Sequence, residues 1–251
     1  MPYHRWLQGC VDRAPTVFSA PGTEARRLLL PSRHRVVAGT VVAMAQSLAQ
    51  SERQALCNLL EEKGPLAPTL CEGWTTSDLA AHLFVRESRP LASPGIVFPP
   101  LAEITDRAME RAKRELGYGG LIRRIRSGPP YPMRLVDAHV NLMEYFVHHE
   151  DVRRAEEGWE PRDDAVLDAA LWPLVRLGAR FMSRRLHGAG LELVAPAFGS
   201  VTARGGQERA VLTGGPQELI MFLTGRKQAA RVEVEGSEAA KEALEGARLG
   251  I

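Results

Sequence analysis

The chain has 251 residues, of which 45% are apolar and 25% charged, with a formal net charge of +2. That length allows one large or two modest globular cores, and no apolar run approaches the roughly 20 residues that cross a bilayer, which argues against a membrane protein. The basic character is local: residues 1–43 hold Arg5, Arg13, Arg26, Arg27, Arg33 and Arg35 against only Asp12 and Glu24, so the remaining body is slightly acidic and gives no reason to expect nucleic-acid binding.

Lysine is rare, with Lys63, Lys113, Lys227 and Lys241 among 32 basic residues, a bias of genome composition more than of ligand. Cys10, Cys57 and Cys71 are odd in number and lack C-x-x-C spacing, which points to a reducing compartment, the cytoplasm, and away from disulfide or zinc-ribbon frameworks.

Residues 1–43 mix Pro, Arg and Gly without a sustained period and read as a disordered head, or as an extension from a start codon upstream of Met44. From Ala45 to Lys63 the apolar spacing is helical, with Gly64-Pro65 as a stop. Thr75-Thr76-Ser77-Asp78 opens a second helix, a hydroxyl cap with an acid three residues on, whose inward face carries Leu79, His82 and Leu83. After a proline-rich loop over 90–100, a third helix spans Leu101–Leu116, Gly117 to Gly120 break it, and Arg123, Arg124 and Arg126 form a solvated face. A long helix runs from Arg134 to Ala155, and another from Asp163-Asp164 to Leu186, with Val166, Ala170, Leu174, Leu177 and Phe181 inward and Pro173 as a kink. Past His187-Gly188 the period changes. Leu191–Ala197, Ser200–Arg204, Arg209–Thr213 and Arg231–Glu235 read as strands, and Pro216–Arg226 and Ser237–Arg248 as helices. The expectation is an α+β chain with a helical bundle over 44–187 and a small α+β domain over 188–251.

The stretch richest in chemistry lies in the long helix. Asp137, Asn141, Glu144, His148 and Asp151 are spaced 4, 3, 4 and 3 apart, one helical face, and both flanks of that face are apolar. The polar stripe therefore turns inward. Burying such groups unpartnered costs roughly 2 to 7 kcal/mol even for a neutral one, so something must bind them.

A divalent cation is the simplest candidate. Glu144 and His148, four residues apart, can reach one ion, and His82 from a neighbouring helix supplies a third ligand; zinc accepts both imidazole and carboxylate and keeps an open position in catalytic sites. Asp78 or Asp151 can then hold the free N–H of a ligating histidine, and Asn141 can orient Glu144. A metal-free, hydrogen-bonded cluster is the competing reading. His149 is a neighbour rather than a ligand, Tyr145 and Phe146 are core, and Cys71 reads as a buried structural thiol.

The run Gly73-Trp74-Thr75-x-x-Asp78-Leu79-Ala80-Ala81-His82-Leu83, then Glu144-x-x-x-His148-His149-x-Asp151, then Leu223-Thr224-Gly225-Arg226 resembles mycothiol-dependent maleylpyruvate isomerase and the actinobacterial metal-binding proteins related to it, within the DinB-like superfamily. The resemblance covers residues 46–251. It implies a DinB-like four-helix bundle with a small C-terminal α/β domain, a divalent metal, zinc in the isomerase, on residues matching His82, Glu144 and His148, and a Gly-Arg pair, Gly225-Arg226, facing the cleft. The wording around Thr69-Leu70-Cys71-Glu72 and Tyr145-Phe146 is closer to the metal-binding relatives than to the isomerase.

The function expected on these grounds is a thiol-dependent metalloenzyme of transferase or isomerase type. Mycothiol would be its thiol cosubstrate and a small electrophile its substrate, and Arg226 would be the catalytic and cofactor-binding group for a carboxylate, a bidentate role. Arg226 could equally be a helix-end cation. A metal-dependent hydrolase and a non-catalytic, stress-response metal bundle are the alternatives, in a monomer or homodimer.

Overall fold

The computed structural model describes residues 33–89, 102–128 and 138–250, and local chemistry sets several of the element ends in it. The chain divides into a leading unit, Met1–Val36, and a body, Val37–Ile251, which is described below. Helix α1 (Arg33–Lys63) ends at Gly64, whose φ of 75° only glycine adopts readily. It begins well before the expected Ala45, so residues 33–43 are helical rather than disordered; the remainder of that head lies outside the described residues. Helix α2 (Thr76–Ser88) starts where the capping pattern places it: Asp78 Oδ2 accepts from the Thr75 backbone N–H at 2.9 Å and its hydroxyl at 2.7 Å.

Helix α3 (Ala102–Ser127) is one run bent at a single residue, Gly117, with φ 62° and ψ 170°. The expected four-residue break is thus a one-residue kink. Helix α4 (Ala138–Arg153) carries the polar face; Asp137 and the proline-rich loop lie outside the described residues, as do the side chains of Ala138, His139 and Val140. Helix α5 (Ala165–Met182) is capped by Asp164, which accepts from the N–H groups of Val166 and Leu167. Its buried face is rotated from expectation: Leu167, Leu171, Leu174, Val175 and Met182 are buried, while Val166 and Leu177 are 56% and 48% exposed. The helix is apolar nearly all round, so periodicity alone does not select the face. Ile104 on α3 is likewise exposed.

Four strands follow, β1 (Gly190–Ala195), β2 (Gly199–Arg204), β3 (Arg209–Thr213) and β4 (Glu233–Gly236), in the order β2-β1-β3-β4. β1 pairs antiparallel with β2 and parallel with β3, and β3 antiparallel with β4. Central β1 turns Leu191 and Leu193 into the core. Helix α6 (Pro216–Leu223) links β3 to β4, and α7 (Glu238–Gly246) closes the described chain. The described residues thus make an α+β fold of seven helices and a four-stranded sheet.

Two apolar clusters organise it. One joins α2, α3 and part of α1 around Tyr145 and Val152; the other joins α5, the sheet, α6 and α7 with Leu142, Phe146 and Val147. Helix α4 contributes to both, with Tyr145 and Phe146 fully buried as expected. Its third side is left for the polar residues. Among the described residues no helix is long and apolar enough to cross a membrane.

Candidate metal centre

Helix α2 presents Asp78, His82 and Arg86 on successive turns, and α4 presents Asn141, Glu144, His148 and Asp151. Where the two faces meet, Glu144 Oε1 lies 3.4 Å from His82 Nε2 and 3.4 Å from His148 Nε2. One donor atom from each of the three residues falls within 4.8 Å of the others. A tetrahedral ion with bonds of about 2.0 to 2.2 Å separates its ligand atoms by roughly 3.3 to 3.6 Å. The two measured edges fall in that range, so two imidazole nitrogens and a carboxylate oxygen fit a divalent cation in both spacing and donor type. His82 and His148 are buried, and Glu144 keeps 21% of its side chain exposed, which leaves solvent a way in.

The electrostatics centre on Glu144. Burial alone would raise its pKa, but the Arg86 charge and the hydrogen bonds from His148 and His82 outweigh it and hold the carboxyl well below its usual range. Burial dominates at His82 and lowers its pKa. His148 is opposite: despite burial, Asp151, Cys71 and Glu144 raise it well above an ordinary histidine.

The surrounding residues sort differently from the sequence expectation. Asp151 holds His148, accepting from Nδ1 at 2.8 Å, while Asp78 does not: it is spent on the α2 cap and on Lys113 at 2.8 Å. Asn141 acts on Glu144 through Arg86, whose Nη1 donates to Asn141 Oδ1 at 2.9 Å and whose Nε lies 3.1 Å from Glu144 Oε1. Arg86 is a site residue that sequence reasoning missed, although it lies one turn past His82. His149 pairs with Glu52 at 2.9 Å, away from the cluster, as a neighbour rather than a ligand. Trp74 packs on the His82 ring at a centroid distance of 5.1 Å.

Arg226 reaches the site through a local device. Gly225 at φ 94° ends α6 in a Schellman motif, with Gly225 N–H donating to Phe222 O at 3.1 Å and Arg226 N–H to Met221 O at 2.9 Å. The reversed chain directs Arg226 at Asp151, where Nε and Nη2 donate to the two carboxylate oxygens at 2.8 and 2.7 Å. Its Nη1 donates to Thr224 O at 2.7 Å, so the fork and the helix-end contact coexist. Cys71 is not a buried structural thiol. It is half-buried, donates to Asp151 Oδ2 at 3.2 Å and accepts from Arg226 Nη2 at 3.4 Å.

No family model and no curated protein matches this chain. Among solved structures, a crystal structure of the mycothiol-dependent maleylpyruvate isomerase is similar, with a TM-score of 0.50 and 18% identity over 84% of this chain and 97% of that one. The chain shares that isomerase's fold. A histidine-to-alanine mutant of the isomerase matches over the same shares at 18% identity and a TM-score of 0.46. At such identity the likeness concerns the fold alone, and the chemistry of the cluster must be argued from its own residues.

Proposed function

We propose that the chain is a divalent-metal protein, and a thiol-dependent metalloenzyme of transferase or isomerase type, whose ion, zinc by donor set, is held by His82, Glu144 and His148. The observation that carries this reading is the 3.4 Å spacing of Glu144 Oε1 from both imidazoles in a largely buried setting. A cation held there would supply an electrophilic position able to keep a low-molecular-weight thiol, mycothiol in the isomerase whose fold is shared, deprotonated at neutral pH.

The protein's own residues do the rest. Asp151 holds the Nδ1–H of His148 and so turns Nε2 toward Glu144, and Arg86 fixes the carboxylate. Arg226 anchors Asp151, keeping its remaining Nη1 hydrogen and its charge for the anionic group of a thiol cosubstrate or small electrophile. In this reading the helical part, residues 44–187, is a DinB-like four-helix bundle and residues 188–251 a small second domain.

A hydrolase is less well supported. The two groups that could act as its base, Asp151 and His149, are engaged by His148 and Arg226 and by Glu52. Isothermal titration of metal-free protein with Zn²⁺ and then mycothiol tests the proposal. One ion per chain, and thiol binding only after loading, is the expected result. A chain that takes up no ion, or binds the thiol equally well without it, overturns the reading.

A further inference from the structure

His148 offers a nitrogen on each side of its ring, and only the Nε2 side belongs to the cluster with His82 and Glu144. On the Nδ1 side lie Asp151 Oδ2 at 2.8 Å and, 3.2 Å beyond that oxygen, Cys71 Sγ. One donor atom from each of Cys71, His148 and Asp151 also falls within 4.8 Å of the others. We propose that these three residues form a second, thiolate-bearing cation position, for a soft divalent ion such as Cd²⁺, that shares His148 with the first and is filled in its place rather than beside it.

The placement of Cys71 is built rather than incidental. Its loop is tied to the end of α4 by the Leu70 N–H donating to Asp151 O at 2.9 Å, and is closed on itself by the Thr69 hydroxyl donating to Trp74 O at 2.9 Å and to Cys71 O at 3.3 Å. Sulfur, imidazole and carboxylate together make a donor set that soft ions select over hard ones. Around an ion with bonds of about 2.0 to 2.3 Å, these atoms would stand roughly 3.4 to 3.6 Å apart, a few tenths of an ångström wider than the hydrogen bonds that now draw them together. On binding, the Sγ–H bond of Cys71 and the Nδ1–H bond of His148 break and both electron pairs go to the cation; the protons leave to solvent by way of Asp151 Oδ2, to which both already point, and His148 is left neutral with its hydrogen on Nε2, toward Glu144.

Positive charge already stands at this position. Arg226 Nη2 donates to both Asp151 Oδ2 and Cys71 Sγ, so the guanidinium fills the place of the cation and must swing aside when one enters. Its fork is then free for an external carboxylate. Entry of a soft ion and release of the Arg226 fork are therefore coupled.

The test is a Cd²⁺ titration of the metal-free full-length chain, read by the ultraviolet charge-transfer absorption of a cadmium–thiolate bond. The expected result is a band in the wild type, retained in His82→Ala, lost in Cys71→Ser, and reached at lower Cd²⁺ in Arg226→Gln. A second measure does not depend on Cys71→Ser folding, iodoacetamide labelling of the wild type mapped by peptide mass spectrometry: Cd²⁺ should slow alkylation of Cys71 by more than about tenfold, the scale on which supporting partners alone affect metal affinity. The proposal is overturned by no band in the wild type, by a band unchanged by Cys71→Ser, or by Cys71 alkylated equally fast with and without Cd²⁺. A band that disappears in His82→Ala also overturns it, since the sulfur would then serve the first position. Zn²⁺ content of the same His82→Ala protein reports separately on the site proposed above.

Discussion

Asp151, fully buried, accepts a 2.8 Å hydrogen bond from Nδ1 of His148. That bond fixes which ring nitrogen faces Glu144, so the carboxylate governs a cation site it does not itself enter. Asp151→Asn should therefore weaken Zn²⁺ binding by about 10- to 100-fold, the usual cost of losing such a partner, whereas His82→Ala and His148→Ala should each release most of the metal. Chelator competition and elemental analysis on folded protein check both. Unchanged metal content in both alanine variants would remove the site.

Arg226→Lys keeps the charge but loses the planar fork that now spans both oxygens of Asp151. The expected outcome is retained metal with weaker binding of the thiol or of an anionic substrate, measured by titration on the zinc-loaded protein. Binding identical to the wild type would leave Arg226 with only its structural contacts to Asp151 and Thr224.

Much of this arrangement is legible in the sequence because it is periodic. The spacing of Asn141, Glu144, His148 and Asp151 shows one helical face, and the Thr75–Asp78 cap marks where α2 begins, which places His82 on its second turn. What escapes is contact across sequence distance. Nothing near Arg226 announces Asp151, 75 residues away. The position of Cys71 depends on a loop whose path is set by the Leu70–Asp151 backbone bond, a tertiary feature without a local signature. The inward face of α5 is ambiguous for a different reason: with apolar residues on nearly every side, the neighbouring sheet and α6 decide what is buried.

The Glu52 carboxylate ties α1 to the segment after α4 and should set the acid stability of that junction. It pairs with His149 at 2.9 Å and with Arg162 at 2.8 Å. Burial opposes its ionisation, yet these partners lower its pKa from 4.5 to about 2. A folded-state value below the unfolded one adds stability above pH 4.5, and that contribution drains away as pH falls toward 2. A gap of that size corresponds to on the order of 3 kcal/mol. Glu52→Gln should lose stability at pH 7 and show a flatter dependence between pH 5 and about 2 than the wild type. Urea melts across that range would show it, and parallel curves would assign the acid sensitivity to other carboxyls.

Arg154 makes the other long-range junction, and its removal should be the costlier. Its side chain, one residue past α4, is fully buried, bonded to Glu150 on the last turn of α4 and to both oxygens of Glu218 on α6 at 2.7 Å, with Ala229 O at 2.6 Å and the Trp159 ring at 4.4 Å. Arg154→Met leaves Glu218 without that partner, a change that typically costs about 3 to 5 kcal/mol. At roughly 2 to 4 °C per kcal/mol for a chain of this size, the melting temperature should drop by about 6 to 20 °C. Replacing both groups, Arg154→Met with Glu218→Met, should cost less than Arg154→Met alone, because no carboxylate is then stranded. Since α6 leads directly into Gly225 and Arg226, the single variant should also loosen the Arg226 contact with Asp151. A double variant less stable than the single one would mean that Glu218 holds its place through its other partner, the Arg231 N–H at 2.7 Å, by more than its orphaned charge costs.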